Sequence, residues 1–263
     1  MATFMKGCAS SLHLTPQMFF IVCPLCFLAG LIDSIAGGGG LISIPAYLAT
    51  GLPAHVAIGT NKLSAAVGTA AATLRYRSSG RMDLPCALIS AALALPGSWL
   101  GTMIFNALPD GFVTRMMLVV IPIVAVLVLV RRGELRAAVA LPQRLRLPVC
   151  AAIGFTIGLY DGLVGPGTGT FLILLFTLIV GMEAVTASGT AKVVNLASNV
   201  ASLTTQIFAG NILFGLGLPA AVFGLLGNLA GARLAIRGGE RIVRAMLVLV
   251  LALLMVNMVS GLL

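Results

Sequence analysis

Apolar positions along the chain run in long blocks separated by short polar or glycine-rich interruptions, the pattern of membrane-crossing helices. Eight blocks fall near 17–36, 55–75, 84–107, 112–130, 148–164, 185–207, 211–232 and 242–262. Each has the roughly 17–25 residues needed to span a hydrocarbon core. Two shorter blocks, Leu41 to Thr50 and Phe171 to Val180, directly follow glycine clusters. At the helical rise these reach only ~15 Å, about half a membrane. A glycine loop opening into a short helix predicts a discontinuous or re-entrant segment.

The interruptions themselves repeat. Gly59-Thr60-Asn61-Lys62 answers Gly189-Thr190-Ala191-Lys192, and ahead of each lies a second matched element. Gly30-Leu31-Ile32-Asp33 runs into Gly37-Gly38-Gly39-Gly40, as Gly158-Leu159-Tyr160-Asp161 runs into Gly165-Pro166-Gly167-Thr168-Gly169-Thr170. Gly97-Ser98-Trp99-Leu100-Gly101 matches Gly227-Asn228-Leu229-Ala230-Gly231, both small-xxx-small patterns that let helices approach closely. Arg115 and Met117-Leu118-Val119 match Arg244 and Met246-Leu247-Val248. The reading is an N-terminal tail 1–16, a first repeat 17–131, a basic linker 132–146 and a second repeat 147–263.

Charge sets the expected orientation of these repeats. The linker carries Arg131, Arg132, Arg136, Arg144 and Arg146 against Glu134, which places it in the cytoplasm by the positive-inside rule. Arg75, Arg77 and Arg81 then also fall inside, whereas their counterpart, Gln206 to Asn211, is uncharged. Conversely, the loop with Asp110 and Arg115 is nearly neutral, and its counterpart carries Arg233, Arg237, Arg241 and Arg244. Charge swaps sides between the halves, as inverted repeats require. Inversion needs an odd number of crossings per repeat, so each repeat is read as four long spans plus one short or broken helix, with both termini outside. The expected fold is an all-α polytopic membrane protein.

Composition narrows the function. Of 263 residues, 59% are hydrophobic and 9% charged, and the mean hydropathy is +1.11, which excludes a soluble globular domain. The net charge of +9 sits at segment ends and in short loops, a topology signal without a nucleic-acid-binding motif. No soluble stretch is long enough for a fused catalytic domain, so an enzyme is not expected. Cys23-Pro24-Leu25-Cys26 has redox or metal spacing but lies inside an apolar span; it and Cys8, Cys86 and Cys150 read as space-filling thiols. Lys6 and the apolar run after it resemble a signal peptide, but no Ala-x-Ala site follows and the run leads into the repeat, so it is read as the first span. His13 and His55 lie near segment ends without partners that would make a metal site.

Candidate chemistry concentrates in the repeated motifs. Lys62 and Lys192 are two of only three lysines, and Asp33 and Asp161 are the carboxylates well inside apolar segments. Such groups cost roughly 2.5–3.5 kcal/mol each at a bilayer centre and are rare without a purpose. The glycine clusters let the backbone turn sharply and expose N–H groups, and a short helix starting there aims its positive end at an anion. The candidate substrate-binding residues are Gly38, Gly39, Gly40, Thr60, Asn61, Lys62, Gly167, Thr168, Thr170, Thr190, Lys192 and Asn195, with Asp33 and Asp161 as coupling candidates. Lys192, Asn195, Asn199 and Ser202 form one polar helical stripe, whereas the first repeat offers Thr60, Asn61, Ser64 and Thr69. Two ammoniums near exposed N–H groups need an anion between them, or the two aspartates as counter-ions, and the two could compete for one lysine. Snorkelling lysines and glycines that serve only helix packing are the structural alternatives. No Walker motif, metal ligand set or cofactor motif is present.

On Ala36-Gly37-Gly38-Gly39-Gly40-Leu41-Ile42-Ser43-Ile44-Pro45, Gly59-Thr60-Asn61-Lys62-Leu63 and Gly189-Thr190-Ala191-Lys192, in that order, the chain resembles the sulfite exporter TauE/SafE family of bacterial membrane proteins. The resemblance implies a multi-pass inner-membrane protein for secondary transport of sulfite, organosulfonates or related sulfur-containing anions. Its expected partners are a small anionic substrate and membrane lipid, and a homo-oligomer is compatible with it. Ala191 where the first repeat has Asn61 departs from a symmetric two-Asn site. The alternatives are a metal or other cation transporter using Asp33 and Asp161, and a membrane thiol-handling enzyme or assembly factor using Cys23 and Cys26. Matched lysines inside the spans favour anions.

Overall fold

The computed structural model describes residues 14–113, 115, 116, 119 and 141–260, and these form helices with no strand among them. In the first half α1 spans Pro16–Ala36, α2 Gly40–Leu48, α3 Ala54–Ser78 and α4 Leu84–Ala107. In the second, α5 spans Gln143–Leu163, α6 Thr168–Leu178, α7 Ala184–Phe208 and α8 Phe214–Ser260, the last broken at Gly239 (φ 60°, ψ −155°). The order long, short, long, long thus recurs, with both short helices where the glycine clusters place them. Most of the expected span 112–130, of the 1–16 tail and of the 132–146 linker, together with Cys8 and His13, lies outside the described residues.

Among the described residues, α1, α4 and Phe214–Gly239 of α8 are long and apolar enough to cross a membrane. Helices α3 and α7 have 25 residues each but are too polar for that criterion, because both carry a buried stripe of hydroxyl, amide and ammonium side chains. Two boundaries differ from the hydropathy reading. The span expected from 148 begins at Gln143, since Arg146 on the first turns of α5 is ion-paired to Asp83, the N-cap of α4. That contact gives basic linker residues a helical place that hydropathy does not register. The span expected at 211–232 runs on to Gly239, with Arg233 and Arg237 in its last turns, and the non-helical backbone there separates it from the span expected at 242–262.

The halves pack crosswise. Helix α4 of the first half lies along α5 of the second, and α8 of the second lies along α1 of the first. A Cβ on Gly97 or Gly101 would fall 2.5 Å from the Phe155 carbonyl oxygen and 2.2 Å from that of Leu159. The matching Gly227 and Gly231 meet Phe27 and Leu31 in the same way, at 2.0 and 2.2 Å. In lipid, apolar burial alone does not drive helices together, so close backbone approach and interhelical hydrogen bonds carry association. Ser90 donates to the Cys150 carbonyl (2.7 Å), Ser98 to that of Ser198 (2.7 Å) and Ser34 to the Asn228 side chain (2.7 Å), each joining the two halves. Between them α3 and α7 cross the centre of the molecule, flanked by the short helices.

Candidate functional site

Asp33 lies in the last turn of α1, which stops because Gly37 adopts a left-handed φ of +78° and its N–H closes on the Asp33 carbonyl (2.8 Å). A Cβ on Gly37 would lie 2.1 Å from the Gly169 backbone, so the first glycine loop sits directly on the second. Thr170 locks them together, its N–H donating to the Gly37 carbonyl (3.2 Å) and its hydroxyl to that of Ala36 (2.9 Å). In the second loop Gly167 supplies the left-handed turn (φ +81°) that starts α6. Both short helices consequently begin in the interior, side by side.

The four charged residues pair across the halves. Lys62 of α3 donates to the Asp161 carboxylate of α5 (2.7 Å), to the Asp161 carbonyl (3.1 Å) and to Asn199 Oδ1 of α7 (3.2 Å). Lys192 of α7 donates to the Asp33 carboxylate of α1 (2.6 Å), whose second oxygen accepts the Gly39 N–H (3.3 Å). The Thr168 hydroxyl lies 2.8 Å from Asp161 Oδ1 and 2.7 Å from the Gly165 carbonyl, so its single proton serves one at a time. Side-chain exposure is 4% for Lys62 and 3% for Asp161, against 0% for Lys192 and 14% for Asp33. Charges this deep persist only as hydrogen-bonded pairs, since either member alone would be an uncompensated buried charge.

These groups surround a cavity of about 60 Å³. One water centre needs roughly 10–15 Å³, so the space holds about four to six non-hydrogen atoms, the size of a small oxyanion. Of the residues expected at the site, Gly39, Gly40, Asn61, Lys62, Gly167, Thr168, Asn195, Asp33 and Asp161 line it. Gly38 and Thr170 do not: the conformational demand in the first loop falls on Gly37, and Thr170 is spent tying the loops together. Lys192 stands behind Asp33 rather than in the wall. Polar lining residues that the sequence reading left out of the site are Ser43, Ser64, Thr69, Asn199 and Asn228, with Cys26 beside Tyr47. Asn199 was legible as part of the α7 stripe; Asn228 stood in a motif read only as packing.

Thr60 and Thr190 have a different role from the one their motifs suggest. Thr60 accepts the Leu213 N–H ahead of α8 (3.0 Å), and Thr190 accepts the Asp83 N–H ahead of α4 (3.0 Å). One residue earlier, a Cβ on Gly59 would strike the Asn211 carbonyl oxygen at 2.4 Å, and one on Gly189 that of Arg81 at 2.0 Å. The Gly-Thr pair of each motif is thus a clasp on the loop of the opposite half, and the lysine two residues on is the buried charge. The repeated motif combines a structural joint with a chemical group.

Other candidates lie apart. His55 Nδ1 is paired with Asp110 and its Nε2 faces the Phe105 carbonyl, away from the cavity. Among the described residues no group of three or more His, Cys, Asp or Glu could hold a metal ion. Cys23, Cys26, Cys86 and Cys150 are buried free thiols.

Comparison with known proteins agrees with the membrane reading. Residues 22–258 match the family model described as sulfite exporter TauE/SafE. The chain is 35% identical over 241 residues to a Sinorhizobium protein named probable membrane transporter protein ORF9, covering 89% of both chains. It is 31% identical over 240 residues to the Escherichia coli K12 protein named probable membrane transporter protein YfcA, covering 91% of this chain and 89% of that one. A Haemophilus influenzae protein named probable membrane transporter protein is 35% identical over 239 residues, covering 89% and 91%. No solved structure matches significantly.

Proposed function

Because the chain belongs to the sulfite exporter TauE/SafE family of membrane transporters, we propose that it carries small sulfur-containing anions, of the sulfite, thiosulfate and small sulfonate class, across the bacterial inner membrane by secondary transport. The anion sits in the central cavity between the N-termini of α2 and α6, beside the ammonium of Lys62, with Asn61, Asn195 and Asn199 as amide donors and Lys192 anchoring Asp33 behind the wall. The observation that carries this reading is the buried Lys62 ammonium in the wall of a cavity where two helices begin. Helix N-termini and an ammonium share one sign preference, for anions.

The two halves, 17–131 and 147–263, are read as inverted repeats. Their reciprocal joints support this: Lys62 with Asp161 and Lys192 with Asp33, Thr60 with Leu213 and Thr190 with Asp83. Rocking one half against the other around the site would open it to either side in turn. A cation carrier built on Asp33 and Asp161 fits less well, because each aspartate is already neutralised by a lysine.

A binding panel on purified protein tests the proposal. Sulfite, thiosulfate, sulfate and methanesulfonate are titrated with divalent cations as controls, and binding is read by calorimetry. Saturable binding of at least one sulfur oxyanion is expected. Saturation by a divalent cation and by none of the anions would reverse the assignment.

A further inference from the structure

We infer that the carried anion is accompanied by a proton, taken up by Asp161 when the anion displaces that carboxylate from Lys62. This rests on the anion reading above and adds a second substrate to it.

An ammonium has three N–H donors, and those of Lys62 are committed to the Asp161 carboxylate, the Asp161 carbonyl and Asn199. An anion can therefore reach this ammonium only by taking the place of a partner. Replacing Asn199 or the Asp161 carbonyl would leave the anion beside the Asp161 carboxylate, in a cavity that Asp33 also lines, with like charges crowded in a buried space. Replacing the Asp161 carboxylate avoids that, and the two acceptors exchange on one donor.

Among the described residues the displaced carboxylate has no other cation to turn to. From α6 it meets the Thr168 hydroxyl, and from α7 Asn199, which reaches the same ammonium. Against this stretch of α5, α4 presents Ser98 and Thr102, neither titratable. Tyr160 on its own helix donates to the Pro166 carbonyl (2.6 Å). Asp33 of α1 and Lys192 of α7 hold each other, and Lys192 has no exposed surface and stands outside the cavity wall. The central charges, two ammoniums and two carboxylates, sum to zero. A monovalent sulfonate makes the sum −1 and a proton from bulk water on Asp161 restores it. Divalent thiosulfate makes it −2, and the single proton Asp161 can take leaves −1, so one proton per anion is the uptake in both cases. The neutral carboxyl remains within hydrogen-bond reach of Thr168. Asp33 is not the acceptor, because its partner cannot be reached from the cavity.

The test uses the intact purified protein and thiosulfate, which takes up no proton of its own near neutral pH. Proton exchange on binding is followed with an indicator dye at low buffer strength and by calorimetry in two buffers of different ionisation heat. The wild type should take up about one proton per thiosulfate bound, and its affinity should weaken about tenfold per unit rise in pH. Asp161→Asn should bind thiosulfate with no proton uptake and a flat pH profile. Infrared difference spectra of the wild type add a reading that needs no variant: thiosulfate should bring up the C=O band of a protonated carboxyl. Binding without proton uptake or without that band would overturn the inference while leaving the anion site standing, and uptake that survives in Asp161→Asn would overturn the assignment to Asp161. Failure of the wild type to bind any sulfur oxyanion would instead overturn the anion reading, and this inference with it.

Discussion

Replacing Lys62 with Gln should destabilise the folded protein far more than replacing Lys62 and Asp161 together. In the single variant the Asp161 carboxylate, 3% exposed, loses its cation and keeps only neutral donors such as the shared Thr168 proton. Breaking a buried pair by removing one partner costs about 3–5 kcal/mol, because a desolvated charge remains. For chains of this size 1 kcal/mol corresponds to roughly 2–4 °C in melting temperature, so Lys62→Gln should melt about 6–20 °C lower. In Lys62→Gln with Asp161→Asn no orphan charge remains, and the Gln amide can still donate to Asn199. Replacing both charges of a buried pair is often close to neutral, so most of the loss should return, with a coupling term of about 2 kcal/mol or more. Thermal unfolding of the wild type, both single variants and the double variant in one detergent gives the cycle. Additive losses, or a single variant that melts with the wild type, would refute the claim that these charges form one desolvated unit.

Three further outcomes are expected. Val at Gly37 should remove the protein from the membrane, since that position needs a positive φ and would clash with the Gly169 backbone; Val at Gly167 should leave an accumulating protein that no longer transports, and both are read by quantifying level and uptake on the same cells. Leu at Gly101 or Gly231 should lower abundance alike, because each glycine meets a backbone carbonyl of the opposite half that cannot yield, as immunoblotting of membranes will show. Reporter fusions after residues 140 and 238 should read cytoplasmic and fusions near 109 and 209 periplasmic; a periplasmic signal at 238 would replace inverted repeats by parallel ones.

Much of this architecture was legible because membrane helices declare themselves by length and apolar content, and because the chain states its plan twice. The motifs around Lys62 and Lys192, and around Asp33 and Asp161, stand out as charges where charge is costly. Pairing was not legible: sequence spacing cannot say that Lys62 meets Asp161 while Lys192 meets Asp33, since that depends on how the halves cross. Thr60 and Thr190 looked like ligand donors because hydroxyls beside a buried lysine suggest a site, yet a hydroxyl can equally satisfy an unpaired N–H at a helix start. The start of α5 escaped hydropathy because an ion pair, rather than apolar content, keeps its basic first turns helical. Asn228 escaped because an amide within a small-residue motif reads as packing until Ser34 is seen opposite it.

The central claim, that the buried lysines are the electrostatic basis of an anion site, is tested most directly by anion transport in proteoliposomes containing Lys62→Gln with Lys192→Gln. A charge-assisted hydrogen bond is worth about 1.5–3 kcal/mol, so loss of one such contact weakens binding roughly 10- to 150-fold. The account predicts that transport of the preferred sulfur oxyanion by the double variant falls to background or half-saturates at least tenfold higher, at equal reconstituted protein. Transport indistinguishable from the wild type would contradict it.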